Sequence, residues 1–121
     1  MALHTLEEVT VFARALAGTD AGELPVFVLG KGSNTLVADA GVDAAVVKLG
    51  AGLKWLRRER EVAVSGAGEA MPALAAWAAK EGLAGLEFAA GIPATVGGSV
   101  RMNAGAHGGE VAERLVSAEV V

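Results

Sequence analysis

Residues 85–110 read Gly85-Leu-Glu-Phe-Ala-Ala-Gly-Ile-Pro-Ala-Thr-Val-Gly-Gly-Ser-Val-Arg-Met-Asn-Ala-Gly-Ala-His-Gly-Gly-Glu110, and seven of these 26 residues are glycine. Apolar residues stand between the glycines, whereas a flexible linker carries Ser and Lys in such places. The pattern indicates a loop that is packed in place while its backbone closely approaches another group. A large flat ligand that bears phosphates would be such a group. The alternative is a tight structural loop that crosses a sheet edge.

The composition of the chain limits the classes of protein to which it can belong. Its 121 residues are enough for one domain, and 53% of them are hydrophobic, which is enough for a core. Because only three Phe and two Trp are present, that core must consist mainly of Ala, Val and Leu. The net charge of −4 and the pI of about 5.1 argue against sequence-independent binding of nucleic acid.

The sequence lacks the residues or patterns that a disulfide, a metal site, a membrane span or a signal peptide would require. Without cysteine there is no disulfide, thiolate metal site or Cys nucleophile. His4 and His107 lie far apart and in no metal-binding spacing, so no metal is expected. No apolar run approaches the ~18 residues that span a membrane, and no signal peptide is visible. We therefore expect a cytoplasmic protein.

Hydrophobic spacing in the first half of the chain predicts one helix and four strands. Thr5-Leu6-Glu7-Glu8 is a capping box, and the helix that follows it ends within Gly18–Gly22. The apolar face of that helix consists of Leu6, Val9, Phe12, Ala13 and Leu16. Strands are predicted at 26–29, 35–38, 42–49 and 60–65, the first of them buried and the last with Val62 and Val64 facing inward. The basic residues of segment 54–60 are typical of a solvated hairpin flank.

The second half is predicted to hold a second helix, the glycine-rich loop and a last strand. The helix follows Gly66-Ala67-Gly68, has Pro72 in its first turn and stops at Gly82. Its apolar stripe is Met71, Leu74, Ala75 and Ala78. The last strand covers 112–121. Because the chain starts close to a helix cap and stops inside an apolar run, we expect a fragment.

Three glycine sites are candidates for binding phosphates. Gly30-x-Gly32 follows a predicted strand, and Ser33 and Asn34 add short polar side chains that reach phosphate oxygens. It is not a Rossmann fingerprint, because Thr35 stands in place of the third glycine and no helix follows, and the P-loop spacing also fails. A hairpin turn with Asn34 in the left-handed conformation is the alternative.

The other two glycine sites are less specific. Gly66-Ala67-Gly68 opens a helix, where an anion is favoured, but glycines there also permit close packing. Gly97-Gly98 and Gly105 form the third site. Four residues near these sites are candidates for chemistry by proximity alone, and each is also explained by a structural role: Glu87, Arg101, His107 and Glu110.

Taken together, four segments resemble the UDP-N-acetylenolpyruvoylglucosamine reductase (MurB) family of flavoenzymes. They are Leu29-Gly-Lys-Gly-Ser-Asn-Thr-Leu-Val37, Val64-Ser-Gly-Ala-Gly68, Gly85-Leu-Glu-Phe-Ala-Ala-Gly-Ile-Pro-Ala-Thr-Val-Gly-Gly98 and Arg101-Met-Asn-Ala-Gly-Ala-His-Gly-Gly-Glu110. The resemblance spans nearly the whole chain, in order and with similar spacings. It implies an α+β FAD-binding domain of the vanillyl-alcohol oxidase (PCMH) type, made of two small α+β subdomains. We expect residues 1–121 to be this domain, incomplete at both ends and without the family's substrate-binding domain.

The resemblance also implies which residues contact FAD. The pyrophosphate would be wrapped by the backbone amides of Gly30, Lys31, Gly32, Ser33, Asn34 and Thr35. The cradle beside the flavin ring would continue with Gly91, Ile92, Pro93, Thr95, Gly97, Gly98 and Ser99. The residues near the isoalloxazine and the path of the substrate would be Asn103, Ala104, Gly105 and Ala106.

Family members reduce an enolpyruvyl ether in peptidoglycan precursor synthesis, with UDP-N-acetylglucosamine enolpyruvate as substrate. NADPH gives a hydride to the flavin, which passes one on, while a serine, an arginine and a glutamate assist. Those three residues belong to parts of the family sequence that this chain does not contain, so we expect no catalytic residue here. We expect the isolated chain to be inactive and to hold FAD weakly. It departs from the family at Lys31, where Gly or Glu is common, and at His107, where Tyr is frequent.

Two alternatives remain open from the sequence. The same FAD domain serves other PCMH-type oxidoreductases, which a covalent flavin attachment would identify. A non-catalytic flavin-binding or scaffold module that works with a partner chain is the second. The sequence leaves the oligomeric state undetermined.

Overall fold

The computed structural model describes residues 1–18 and 25–121, so part of the predicted helix stop at Gly18–Gly22 lies outside the described residues. The chain folds into a small parallel sheet, two antiparallel hairpins and three helices among these residues. The α+β class expected from the sequence is confirmed. Within this described part, no helix has both the length and the apolar character needed to cross a membrane.

The parallel sheet has three strands in the order β1-β3-β2. They are β1 (Ala2–Leu3), β2 (Val26–Val28) and β3 (Ala45–Leu49). β2 pairs with β3 from Val26 opposite Ala45 to Val28 opposite Val47. Val47 is buried, at 2% exposure, and Leu3, which lies opposite Leu49, is buried as well. β3 is therefore the central strand and carries the buried side of this unit.

Two predictions about strands in this region are wrong. The strand β2 forms, but Phe27 is 53% exposed and Val28 70% exposed, so it is not buried. The expected strand at 35–38 does not form, and Leu36 is fully exposed. A strand needs a neighbouring strand for its backbone hydrogen bonds, and none of the described strands pairs with this segment. The third predicted strand forms only over its second part, as β3.

Helix α1 (Leu6–Ala17) begins as the capping box predicts. The Glu8 N–H donates to Thr5 Oγ1 at 3.1 Å, and Glu8 Oε2 accepts from the Thr5 N–H at 3.3 Å. Its apolar face is only half-buried, and Leu6 is 51% exposed. Gly18 is the C-cap, with its N–H donating to the last turn. Local sequence therefore accounts for the start of this helix, while little packing covers it.

The first hairpin joins β4 (Leu56–Glu59) and β5 (Val62–Ser65). Arg57 and Glu59 form an exposed ion pair at 2.8 Å, as expected of a solvated flank. The inward face was wrongly predicted, since Val62 is 41% exposed and Ala63 packs against the core. A strand alternates its faces residue by residue, so an error of one position exchanges the two sides.

Helix α2 (Met71–Lys80) provides one side of the main core, and its predicted stripe is confirmed in full. The four buried residues of the helix are Met71, Leu74, Ala75 and Ala78. Met71, Leu74 and Ala75 form one cluster with residues of the 3-10 turn Glu87–Gly91. In that turn Phe88 is 8% exposed and Ala89 is completely buried. Ile92 and Val111 complete this cluster.

The glycine-rich segment contains a helix that the sequence did not predict. This helix is α3 (Val96–Met102), and the short hairpin of β6 (Gly105–Ala106) and β7 (Gly109–Glu110) follows it. The expected strand at 112–121 is wrong: a 3-10 turn covers Val111–Glu113, and residues 115–121 have no regular structure. Val116 and Val120 are 78% and 86% exposed, so an apolar run alone does not make a strand.

Candidate functional site

The loop that follows β2 presents free backbone donors. In residues 1–18 and 25–121, no acceptor takes the N–H groups of Gly30, Lys31, Gly32, Ser33 or Asn34. The Thr35 N–H closes a turn by donating to the Gly32 carbonyl at 3.3 Å, and Gly32 has a φ of +76°. Successive free amides in a turn with left-handed residues form a concave site that suits an anion. The alternative with Asn34 in the left-handed conformation is wrong, because the φ of Asn34 is not positive.

This loop meets the third glycine site at Thr95. A Cβ atom on Gly30 would lie 2.6 Å from Thr95 Oγ1, a distance that Cβ contacts essentially never show. Thr95 is the N-cap of α3, and its Oγ1 accepts from the Gly98 N–H at 3.2 Å. The absence of a side chain at Gly30 therefore lets the loop lie directly against the cap of α3.

The first turn of α3 has no free donors of its own. The Val96 N–H donates to the Glu69 carbonyl at 2.8 Å, and the Gly97 N–H donates to the Ala67 carbonyl at 2.9 Å. A Cβ on Gly97 would lie 2.9 Å from the Ala67 Cβ. Gly97 thus permits close packing between α3 and the turn before α2, and its amide already has a protein partner.

The second glycine site also serves packing. The Gly68 N–H donates to the Leu53 carbonyl at 2.9 Å, and a Cβ on Gly66 would overlap that same carbonyl oxygen. At the start of α2, Glu69 Oε1 already accepts from the Ala70 N–H at 2.9 Å. Because a carboxylate occupies this helix start, the close-packing interpretation is favoured over an anion site.

The end of α3 arranges the residues expected near the isoalloxazine. Asn103 is the C-cap in the left-handed conformation, with a φ of +47°, and its Oδ1 accepts from the Ala112 N–H at 2.8 Å. The Ala104 N–H donates to the Ser99 carbonyl at 2.9 Å. Ser99 itself is completely buried, and its hydroxyl has no hydrogen-bond partner among the described residues.

A separate cleft brings together two of the four residues selected by proximity, Glu87 and His107. Phe88 and Arg114 also line it, whereas Arg101 and Glu110 do not. The Gly85 N–H donates to both carboxylate oxygens of Glu87, at 3.1 and 2.9 Å. This bond, with the residue's own backbone N–H and the nearby Arg114, holds the pKa of Glu87 below its ordinary value.

Arg114 was missed by sequence reasoning. Its guanidinium lies within 3.3 Å of the position that a Cβ on Gly85 would take. An isolated arginine outside the glycine-rich motifs gave no signal, because its proximity to residue 85 depends on the fold. His107 lies against Gly91, whose Cβ position is 3.2 Å from Nε2 of the ring.

The loop at residues 30–34 fits a dinucleotide such as FAD. The Gly30–Asn34 amides supply several unpartnered donors for a pyrophosphate, and the Thr95 hydroxyl lies at their edge. Gly97 and Gly98 fit less directly, since their amides are bonded within the protein. No group of three or more His, Asp or Glu side chains in the described ranges could hold a metal ion.

Comparison with known proteins shows the family of the chain. Residues 2–121 match the family described as FAD binding domain. The UDP-N-acetylenolpyruvoylglucosamine reductase of Bacillus subtilis is 53% identical over 94 residues, which cover 78% of this chain and 31% of that protein. The reductase of Rubrobacter xylanophilus is 48% identical over 103 residues, covering 84% of this chain and 35% of that protein.

A solved structure has a similar fold. The crystal structure of UDP-N-acetylenolpyruvylglucosamine reductase (MurB) from Thermus caldophilus superposes with a TM-score of 0.68 at 42% identity, over 90% of this chain and 36% of that one. The chain therefore spans about a third of the length of the relatives it matches. By sequence and by fold, the chain belongs to the FAD-binding domain family, in the form of that domain found in the UDP-N-acetylenolpyruvoylglucosamine reductases.

Proposed function

We propose that the chain is the FAD-holding part of a UDP-N-acetylmuramate dehydrogenase (UDP-N-acetylenolpyruvoylglucosamine reductase) that acts in the cytoplasm. The observation that carries this proposal is the meeting of the free Gly30–Asn34 amides with the cap of α3 at Thr95. This arrangement lies within the span that matches the FAD binding domain family. Bound FAD would supply hydride transfer, which no side chain of the chain can supply.

The whole-protein reaction extends beyond these residues. We propose that the parent enzyme takes NADPH as hydride donor and UDP-N-acetylglucosamine enolpyruvate as substrate, in peptidoglycan precursor synthesis. The support for this is the identity of the relatives, which are all about three times as long as the matched region. We assign no catalytic role to any residue of the chain.

The proposed cofactor contacts differ in how they would act. The Gly30–Thr35 loop would bind the pyrophosphate through its backbone amides, and the Thr95 hydroxyl would lie beside it. Gly97 and Gly98 would act through packing, because their amides have partners in the protein. The contacts proposed for the flavin side of the cofactor are Gly91, Ile92, Pro93, Ser99, Asn103, Ala104, Gly105 and Ala106.

The visible absorption spectrum of the purified chain, recorded after incubation with FAD and desalting, tests the cradle. A matched pair of variants locates it: Gly32→Val and Gly41→Val. Both glycines have nearly the same left-handed φ, +76° and +77°, so the two substitutions strain the backbone alike. A Cβ on Gly32 would meet only the Leu29 side chain at an ordinary 3.8 Å, and one on Gly41 would meet nothing within 4 Å among the described residues. Only Gly32 lies in the loop with the free amides.

Because binding is expected to be weak, we expect the unaltered chain and Gly41→Val to retain part of the flavin and Gly32→Val to lose it. Equal retention by the two variants would contradict a cradle at residues 30–35. No retention by any of the three would contradict the proposal that this chain holds FAD. Substrate-dependent consumption of NADPH by the 121-residue chain would show that the catalytic groups are present after all.

A further inference from the structure

Lys31 is the one residue of the free-amide loop that carries a full positive charge. Its side chain is exposed, and in the part of the chain that the structure describes it forms no ion pair. The exposed arginines Arg57 and Arg58 of the first hairpin, by contrast, pair with Glu59 and Glu61. Lys31 is thus an uncompensated cation beside donors that have no acceptor.

The backbone of Lys31 is part of the same row of free amides. Its amide and those of Gly30 and Gly32 are all free, so an anion bound to them lies next to the Lys31 backbone. The four-carbon stem of lysine is flexible and ends in an ammonium with three donors, which can turn onto such an anion. Backbone strain does not oppose this, because the φ of Lys31 is not positive.

The charges of the chain and of the ligand favour this contact. The chain has a net charge of −4, and a dinucleotide diphosphate brings two more negative charges to it. Backbone amides supply only partial positive charge, so they do not offset that repulsion fully. A unit positive charge inside the loop does so locally, and its effect is screened by salt.

We propose that the Lys31 ammonium binds the diphosphate of the dinucleotide held by the Gly30–Asn34 amides, and that this contact makes the affinity of the chain for FAD dependent on salt. The proposal rests on the proposed FAD-binding function and adds a side-chain contact to it. The contact sets cofactor affinity and has no part in hydride transfer.

The test is a measurement of the dissociation constant for FAD by flavin fluorescence across a series at one position: Lys31, Lys31→Arg, Lys31→Gln and Lys31→Glu. The matched control is Lys80→Gln, which removes the same charge from the exposed last turn of α2. Each protein is measured at low and at high ionic strength, and circular dichroism checks that each is folded.

At low salt we expect Lys31→Gln to weaken FAD binding about three- to ten-fold, in the range of one exposed charge contact to a phosphate. Lys31→Glu weakens it further, while Lys31→Arg and Lys80→Gln stay near the unaltered chain. In high salt the differences within the series shrink, because the charges are screened.

The possible results distinguish a failure of the lysine contact from a failure of the FAD site. If the unaltered chain binds FAD and Lys31→Gln binds it equally well at low salt, the lysine contact is overturned and the FAD site stands. If the unaltered chain does not bind FAD, both the site and the contact are overturned. A loss that is equal for Lys31→Gln and Lys31→Arg, or that persists in high salt, also overturns the contact, because it would reflect shape and not charge.

Discussion

Substitution of Gly30 by alanine is the sharpest test of how the two glycine sites meet. The new Cβ would lie 2.6 Å from Thr95 Oγ1, whereas ordinary van der Waals contact begins near 3.4 Å. One of the two groups must therefore move by about 0.8 Å. The backbone of Gly30 adds no strain of its own, since its φ does not lie in the left-handed region. The substitution thus tests close approach alone.

The structure limits how this clash can be relieved. Thr95 Oγ1 accepts from the Gly98 N–H at 3.2 Å, so rotation of the Thr95 side chain removes the cap of α3, a loss of about 1 kcal/mol. If the loop moves instead, its free amides leave their present arrangement. Overpacking costs about 1–3 kcal/mol, and Gly→Ala returns about 0.4–1 kcal/mol through the entropy of the unfolded chain. We expect a net loss of about 1–2 kcal/mol in the free energy of unfolding.

Urea denaturation followed by circular dichroism measures this loss, and Gly18→Ala is the matched control. Among the described residues, a Cβ on Gly18 would meet the carbonyl oxygens of Arg14 at 3.4 Å and Ala15 at 4.0 Å, both ordinary contacts, and the φ of Gly18 is −99°. We expect that control to lose no stability, because only the gain of about 0.4–1 kcal/mol from the entropy of the unfolded chain applies to it. In a Thr95→Ala background the hydroxyl is absent, so Gly30→Ala should lose about 1 kcal/mol less than it does alone. No loss for the single variant, or no coupling with Thr95, would refute the contact.

Three further perturbations test other parts of the structure. Gly97→Ala places a Cβ 2.9 Å from that of Ala67, so we expect a loss of about 1–3 kcal/mol in urea denaturation, and an unchanged midpoint would contradict the packing. Asn103→Ala loses the hydrogen bond from the Ala112 N–H and also places a residue that disfavours the left-handed conformation at the C-cap, whereas Asn103→Gly loses only the hydrogen bond. We expect the alanine variant to be less stable than the glycine variant by about 1 kcal/mol. The pKa of Glu87 is lowered on folding, so its carboxylate adds stability above the unfolded-state pKa, and that stability is lost as the pH falls through the folded-state pKa. Glu87→Gln should therefore flatten the fall of Tm between about pH 6 and about pH 3. An unchanged slope would contradict this.

The elements that sequence predicted well are those whose signal is local. The capping box of α1 joins residues three apart, Thr5 and Glu8. The stripe of α2 needs only a helical period to place Met71 and Leu74 on one side. The wrong strand predictions have a different origin, because a strand requires a neighbouring strand and the local sequence does not specify one. Segments 35–38 and 112–121 are apolar enough for strands, yet neither has a neighbouring strand among those described.

The same distinction applies to the candidate site. The resemblance to the MurB family selected the loop at 30–35 and the segment at 91–106, but it did not show that they meet. That contact, between Gly30 and Thr95, joins residues 65 positions apart and becomes visible only in the fold. The buried, unpartnered hydroxyl of Ser99 is likewise a product of packing.

The glycine sites therefore divide by what their amides do, and this division has a measurable consequence. Gly68 and Gly97 donate to carbonyls of the protein, so their substitution acts first on folding. The free amides at residues 30–34 have no such partner among the described residues, so distortion there acts first on the ligand. Plotting FAD affinity against the free energy of unfolding should separate the two groups. Gly97→Ala loses stability and affinity together, whereas Gly32→Val loses more affinity than Gly41→Val does at a similar loss of stability. If all glycine variants fall on one line, flavin retention merely reports the folded fraction, and the loop at 30–34 has no special part in binding.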